Sequence, residues 1–341
     1  MFRIFHDTAS GLTAIESTTA RRRLGGELQP AKRTRNVTIL DHNELLVKPG
    51  CDVGLANFEP GSTGTFHTRD HAQAKLQKDI KRLAELQDVF CAAEKYALLI
   101  VLQGMDAAGK DGVIKHVMTG VNPQGVDVNS FKVPSTVELE HDYLWRTTKV
   151  LPPRGRIGIF NRSYYEELVV ARVHASVLER EDLPPGSIAS PDLWKDRFED
   201  VNAFEHHMSR NGTVILKFFL HLSSDEQRKR LLKRIDTPKK NWKLSASDVH
   251  ERKFWNNYQR AYEEMLEHTS TEWAPWYIVP ADHKWFTRAA VASIIVTKLE
   301  ALGLAYPQVS DEQRAHLAAL GEQLANQAEQ HRKQEPELIS A

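Results

Sequence analysis

Leu98, Leu99, Ile100, Val101 and Leu102 form an unbroken apolar run that stops abruptly at Gln103-Gly104-Met105-Asp106-Ala107-Ala108-Gly109-Lys110-Asp111, and residues 112–118 then read as a helix. So short an apolar run fits a strand buried on both faces, which implies a parallel sheet covered on either side. Glycines directly after such a strand let the chain turn its N–H groups toward an anion, and the new helix adds the positive end of its dipole. From Gly104 through four residues to Gly109 and Lys110 the spacing is that of Walker A, whose lysine reaches the outer phosphates. The bland alternative is a glycine-containing surface turn. Position, spacing and the basic residue together make phosphoryl transfer the leading expectation.

The loop departs from the usual pattern in its charges. A Ser or Thr ordinarily follows the lysine to hold Mg²⁺; here Asp111 does, and a second carboxylate, Asp106, lies within the loop. A carboxylate in an anion cradle repels phosphate unless a cation stands between them, so Asp106 argues for Mg²⁺ bridging protein and phosphates.

The 341 residues, 41% of them hydrophobic, suffice for one large domain or two small ones. No apolar run approaches the roughly 20 residues of a membrane span, so a soluble protein without membrane contact is expected. Cys51 and Cys91 make neither a disulfide framework nor a metal-ligand spacing, and two reduced thiols fit a cytoplasmic location. Basic and acidic residues balance at 45 each, which speaks against a nucleic-acid binder, yet residues 225–243 hold eight Lys or Arg against three acids. Such local asymmetry suits a focused polyanion site.

Along the chain, residues 1–36 are polar, arginine-rich and without periodicity, and are expected to be a disordered arm. Residues 37–66 read as an extended lead-in. Amphipathic periodicity predicts a helix over 68–95, and alternation predicts a strand over 125–133. Ser135 with Glu138 forms a capping box at the start of a helix over 135–143. A second core strand follows at 156–160, a helix at 192–210, a buried strand at 213–220 and a basic helix at 223–235. Then come a helix at 248–268, a last strand at 276–279 and a last core helix at 284–302. Strands alternating with helices give an α/β fold, with about five parallel strands near residues 97, 128, 158, 216 and 278. Residues 304–341 form a polar, helix-favouring tail that docks weakly or frays.

In this order the motifs GMDAAGKDG (104–112), NPQGV (122–126), FNRSYYEELVVARVH (160–174), EQRKRLLKR (226–234), NWKLS (241–245) and APWYIVPADHKW (274–285) resemble the type-2 polyphosphate kinases, the polyphosphate:nucleotide phosphotransferases. The resemblance spans roughly residues 40–303 and implies a P-loop kinase-like three-layer α/β/α sandwich, a catalytic domain over 37–303 and a helical lid at about 162–185. It further implies Mg²⁺-dependent transfer between inorganic polyphosphate and a nucleoside mono- or diphosphate, in a homodimer or homotetramer. Carried onto this chain, Gly104, Met105, Ala107, Ala108, Gly109, Lys110, Asp111 and Gly112 would hold the reacting phosphates, and Asp106 with Glu166 would hold Mg²⁺. Members that act mainly on diphosphates tend to have Asp where this chain has Asn161. The pattern here looks like the subgroup that takes both AMP and ADP. Arg162 and Arg172 would grip phosphates from the lid.

Independently of the resemblance, transfer between two anions requires cations and in-line alignment more than a base. Lys110, Arg162, Arg172 and Mg²⁺ suit that task. Arg230 and Arg234, four apart on a predicted helix, could extend a positive track for the polyphosphate chain, the alternative being a solvated basic face. Lys132, at the end of its strand, carries the same ambiguity. The tryptophans at 242, 255, 273, 276 and 285 read as packing residues, and His141, His206 and His207 lack metal-ligand spacing. An ATP-dependent nucleoside monophosphate kinase, a P-loop regulatory protein and a nucleic-acid binder are the competing classes. Adenine nucleotides are the expected partners, with guanine left open.

Overall fold

The computed structural model describes residues 40–334, residue 244 apart; the arm expected at 1–36 lies outside the described residues. Five strands pair in parallel in the order β2-β3-β1-β4-β5: β1 (Ala97–Gln103), β2 (Val126–Ser130), β3 (Ile157–Asn161), β4 (Thr213–His221) and β5 (Trp276–Pro280). In register, Leu98 lies opposite Ile157 on one side and Val214 on the other, so β1 is the central strand.

All seven residues of β1 are buried, and its side chains divide between two cores. Leu98, Ile100 and Leu102 join one cluster with Leu83, Phe90, Val113 and Ile294; Leu99 and Val101 join another with Tyr164, Phe198, Tyr262 and Trp276. A strand's side chains alternate between faces, so an apolar residue at every position demands a layer on each side. The first is built from α1 (Arg69–Ala93), α2 (Lys110–Val117) and α11 (Lys284–Ala301). The second comprises α5 (Glu166–Val173), α7 (Leu193–Arg210) and α10 (Trp255–Thr269). The remaining helices are α3 (Thr136–Leu139), α4 (Trp145–Thr148), α6 (Ala175–Glu179), α8 (Ser224–Ile235) and α9 (Ala246–His250), and α12 (Asp311–Gln334) ends the described chain.

Caps account for several boundaries. Thr68 Oγ1 accepts from His71 N (3.3 Å) to start α1, Ser223 Oγ accepts from Glu226 N (3.1 Å) to start α8, and Ser135 and Glu138 form their capping box. The helix predicted over 248–268 is instead broken by a 3₁₀ turn at Glu251–Phe254, where the Glu251 carboxylate accepts from Tyr258 (2.7 Å) and meets His174 Nε2 (2.8 Å).

The first half of the expected lid at 162–185 is fixed in the core. Tyr164 and Tyr165 are fully buried and both donate to Glu205 Oε1, at 2.7 and 2.8 Å. Leu168 and Val169 are equally buried against the layer that contains α10. The tail forms the helix α12, with Leu317, Leu320 and Leu324 exposed. No helix among the described residues is long and apolar enough to cross a membrane.

Candidate active site

After β1 the chain enters the layer of α2 and α11; after β3, its neighbour, it enters the layer of α5 and α10. Adjacent strands whose continuations part to opposite faces leave a crevice at their carboxyl ends, where open α/β sheets bind ligands. The 104–112 loop and the Asn161–Arg162 corner meet there.

The loop's shape follows from a few backbone demands. Gly104 has φ +143°, and a Cβ on it would lie 2.8 Å from the Leu220 carbonyl oxygen, so only glycine fits. Gly109, at φ +111°, caps α2. Ala107 adopts φ +63° despite its side chain. The loop carbonyls are tied to side chains: Lys110 Nζ donates to Gly104 O (2.5 Å) and Met105 O (3.3 Å), and Gln227 Nε2 to Asp106 O (3.0 Å). Arg230 Nη1 donates to Ala107 O (3.0 Å) and Ala108 O (2.9 Å). Carbonyls tied up in this way leave loop N–H groups to meet an anion, apart from Ala108 N–H, which donates to Met105 O (3.1 Å).

Opposite the loop, Arg162 turns the corner at φ +63°. Its guanidinium bridges two carboxylates, with Nη2 donating to Asp106 Oδ1 (2.5 Å) and Nη1 to Glu166 Oε2 (2.9 Å). The Gln103 amide satisfies both its ends when its nitrogen donates to Glu166 Oε1 (2.9 Å) and its oxygen accepts from Ser163 N and Oγ (both 3.2 Å). Asn161 Nδ2 donates to Asp111 Oδ1 at 2.8 Å. Burial pushes Lys110 down to about 8, the Arg162 charge adds to the shift, and Asp106, Glu166 and Asp111 oppose it.

The remaining expected residues lie elsewhere or act differently. Arg230, nearly buried, spends its donors on Glu226, the two loop carbonyls and the carbonyls of Ala281 and Asp282. It braces the loop from behind rather than facing a polyphosphate track. Arg234 Nη1 reaches Asp248 Oδ2 at 3.5 Å. Arg172 pairs with Glu264 and stacks over Trp194 at 4.7 Å, away from the two-carboxylate corner. Lys132 is exposed just beyond β2, the edge strand.

Gln103, Gln227, Arg252, Lys284 and Arg288 were not singled out from the sequence. Arg252 Nη1 donates to Gln227 Oε1 (2.5 Å) and Ser224 O (3.1 Å), fixing the brace. Lys284 and Arg288 are four apart at the start of α11, after β5, a spacing that could have marked them as one face. Burial lowers both, with the charge of Arg230 adding for Lys284 and those of Arg69 and Arg230 for Arg288; a Cβ on Gly112 would lie 3.6 Å from Arg288 Nη2, which puts that guanidinium beside the loop.

Among the described residues no group of three or more Asp, Glu, His or Cys side chains could cage an ion. Asp106 and Glu166 offer two hard carboxylates converging on one point, a donor set that fits a divalent ion completing its shell with phosphate and water.

A phosphate-binding loop after the central strand of a β2-β3-β1-β4-β5 parallel sheet, faced by carboxylates and a guanidinium, defines a P-loop kinase-like phosphotransferase. Residues 67–305 match the family described as Polyphosphate kinase 2 (PPK2). The chain belongs to that family. It is 49% identical over 281 residues to the ADP-polyphosphate phosphotransferase of Rhodopseudomonas palustris, covering 82% of this chain and 97% of the relative. It is 43% identical over 263 residues to the AMP/ADP-polyphosphate phosphotransferase of Meiothermus ruber, covering 77% and 94%. The crystal structure of polyphosphate kinase 2 from Arthrobacter aurescens TC1 superposes with a TM-score of 0.75 at 37% identity, covering 84% of this chain and 98% of that one.

Proposed function

We infer that this protein moves a phosphoryl group between inorganic polyphosphate and AMP or ADP, with Mg²⁺, yielding ADP or ATP. The observation that carries the reading is the loop whose carbonyls are held by Lys110, Gln227 and Arg230 while Arg162, Asp106 and Glu166 meet beside it. The names of the Rhodopseudomonas and Meiothermus relatives support the donor and the acceptors. Mg²⁺ held by Asp106 and Glu166 would withdraw charge from the phosphate oxygens. Lys110 neutralises the transferring group, and the loop amides hold it in line. Arg162 meets the developing charge with a planar fork, while Lys284 and Arg288 offer the rest of the polyphosphate chain a cationic bank. Asn161, neutral where an aspartate would add charge, favours taking the monophosphate as well as the diphosphate. The free thiols suit a cytoplasmic enzyme, and assembly into a homodimer or homotetramer is open to light scattering.

The test mixes purified protein, Mg²⁺ and long-chain polyphosphate with AMP or ADP in separate tubes and follows the nucleotides by chromatography. ADP and then ATP from AMP, with no ATP supplied, is the expected result. ATP from ADP alone would overturn the Asn161 argument. Activity only with ATP as donor would make the protein an ordinary monophosphate kinase.

A further inference from the structure

The Asp106–Glu166 pair has two claimants. The Arg162 fork occupies one oxygen of each carboxylate, at 2.5 and 2.9 Å. These are the two groups that, on the function proposed above, would hold the divalent ion. A guanidinium and a dication compete for them: the fork holds Asp106 Oδ1 and Glu166 Oε2, Gln103 already holds Glu166 Oε1, and two cations at that range repel. Arg162 also sits at φ +63°, a conformation that a residue of its size keeps only where the surroundings impose it.

Glu166 does not depend on Arg162 for its position, because Gln103 holds its other oxygen (2.9 Å). Gln227 holds the backbone carbonyl of Asp106 (3.0 Å), which fixes that residue's main chain while its carboxylate is left to turn toward whichever cation is present. Arg162 and Asp106 are each about a third exposed at the side chain, so the corner is open to solvent.

We propose that Arg162 is the resident counter-ion of the Asp106–Glu166 pair and yields it to the metal only when phosphate oxygens arrive to receive its guanidinium. Metal and phosphate then bind cooperatively, and each raises the affinity for the other by the same factor. The corner would not load metal before substrate.

The experiment titrates full-length protein with Mn²⁺, reading free Mn²⁺ by electron paramagnetic resonance, with and without methylenediphosphonate as a phosphate that cannot turn over. Without diphosphonate, Arg162→Met is expected to bind Mn²⁺ at least tenfold more tightly than wild type. The gain on adding diphosphonate should be large in wild type and much smaller in the variant. Adding Glu166→Gln to the variant should remove its advantage. Lys110→Met deletes an equal charge that acts on both carboxylates without touching them, and should gain less than a third of what Arg162→Met gains. Equal affinities for wild type and Arg162→Met, or an equal gain in Lys110→Met, would overturn the proposal. If Arg162→Met does not fold, Arg162→Lys, whose ammonium cannot fork to both carboxylates, is read the same way with at least a threefold gain expected. None of these readouts needs turnover, so a protein inactive with polyphosphate would refute the function proposed above without deciding the role of Arg162.

Discussion

Lys110 was legible from spacing alone, because the loop motif fixes both its neighbours and its task. Its environment was not, since burial and the nearby Arg162 charge exist only in the fold. Two outcomes follow. Lys110→Ala should lower transfer by about 10²–10³-fold with the fold intact by circular dichroism. In wild type, kcat/KM for polyphosphate should fall as the pH rises through about 8, because the free enzyme then loses the lysine's proton, whereas the limb of kcat should lie higher once phosphate is bound. The sign for stability is opposite. The folded lysine releases its proton at about 8 and the unfolded one near 10.5, so across that window the unfolded chain binds more protons. Wild type should therefore gain on Lys110→Met with rising pH, by at most ~1.4 kcal/mol per unit, measured by urea melts. Gly104→Ala places a Cβ against the Leu220 carbonyl and should cost roughly 1–3 kcal/mol.

At the scale of elements, α8 shows where reading a sequence stops. Its charges repeat at helical spacing, and spacing cannot tell a guanidinium in water from one on carbonyls some 120 positions earlier. The basic helix was legible; its use as a brace was not. Gln227→Leu, which keeps the bulk but loses the bonds to Asp106 O and from Arg252, should reduce kcat about tenfold and cost roughly 1–3 kcal/mol of stability by denaturant unfolding. The anchoring of the first residues of the expected lid was equally hidden, since nothing local in Tyr164-Tyr165 reveals that both rings end on Glu205. That carboxylate also takes Lys217 Nζ at 2.6 Å, and Lys217 further donates to Tyr165 Oη and Thr269 O, all without solvent. Lys217→Met strands the Glu205 charge and should cost ~3–5 kcal/mol, while Lys217→Met with Glu205→Gln should recover part of it; denaturant unfolding of both variants gives the answer.

Across the molecule, the alternation of strands and helices gave the class and the number of strands, because buried parallel strands are written as short apolar runs. The strand order was not written there. It depends on which layer each connection joins, and that order puts the loop after β1 and the corner after β3 beside one crevice. The tail bears on this little: residues of α12 are exposed from 311 to 330. Removing 307–341 should change unfolding free energy by no more than about 0.5 kcal/mol and leave turnover unchanged.

The brace on the loop also bears on how the protein is made. The loop motif is complete once residue 112 has been synthesised, but the groups that hold its carbonyls arrive at Gln227 and Arg230, and Arg230 is itself pinned by the carbonyls of Ala281 and Asp282. A nascent chain that ends before residue 230 carries the whole motif without the Arg230 part of its brace, so the loop's support is completed only when the domain is almost finished.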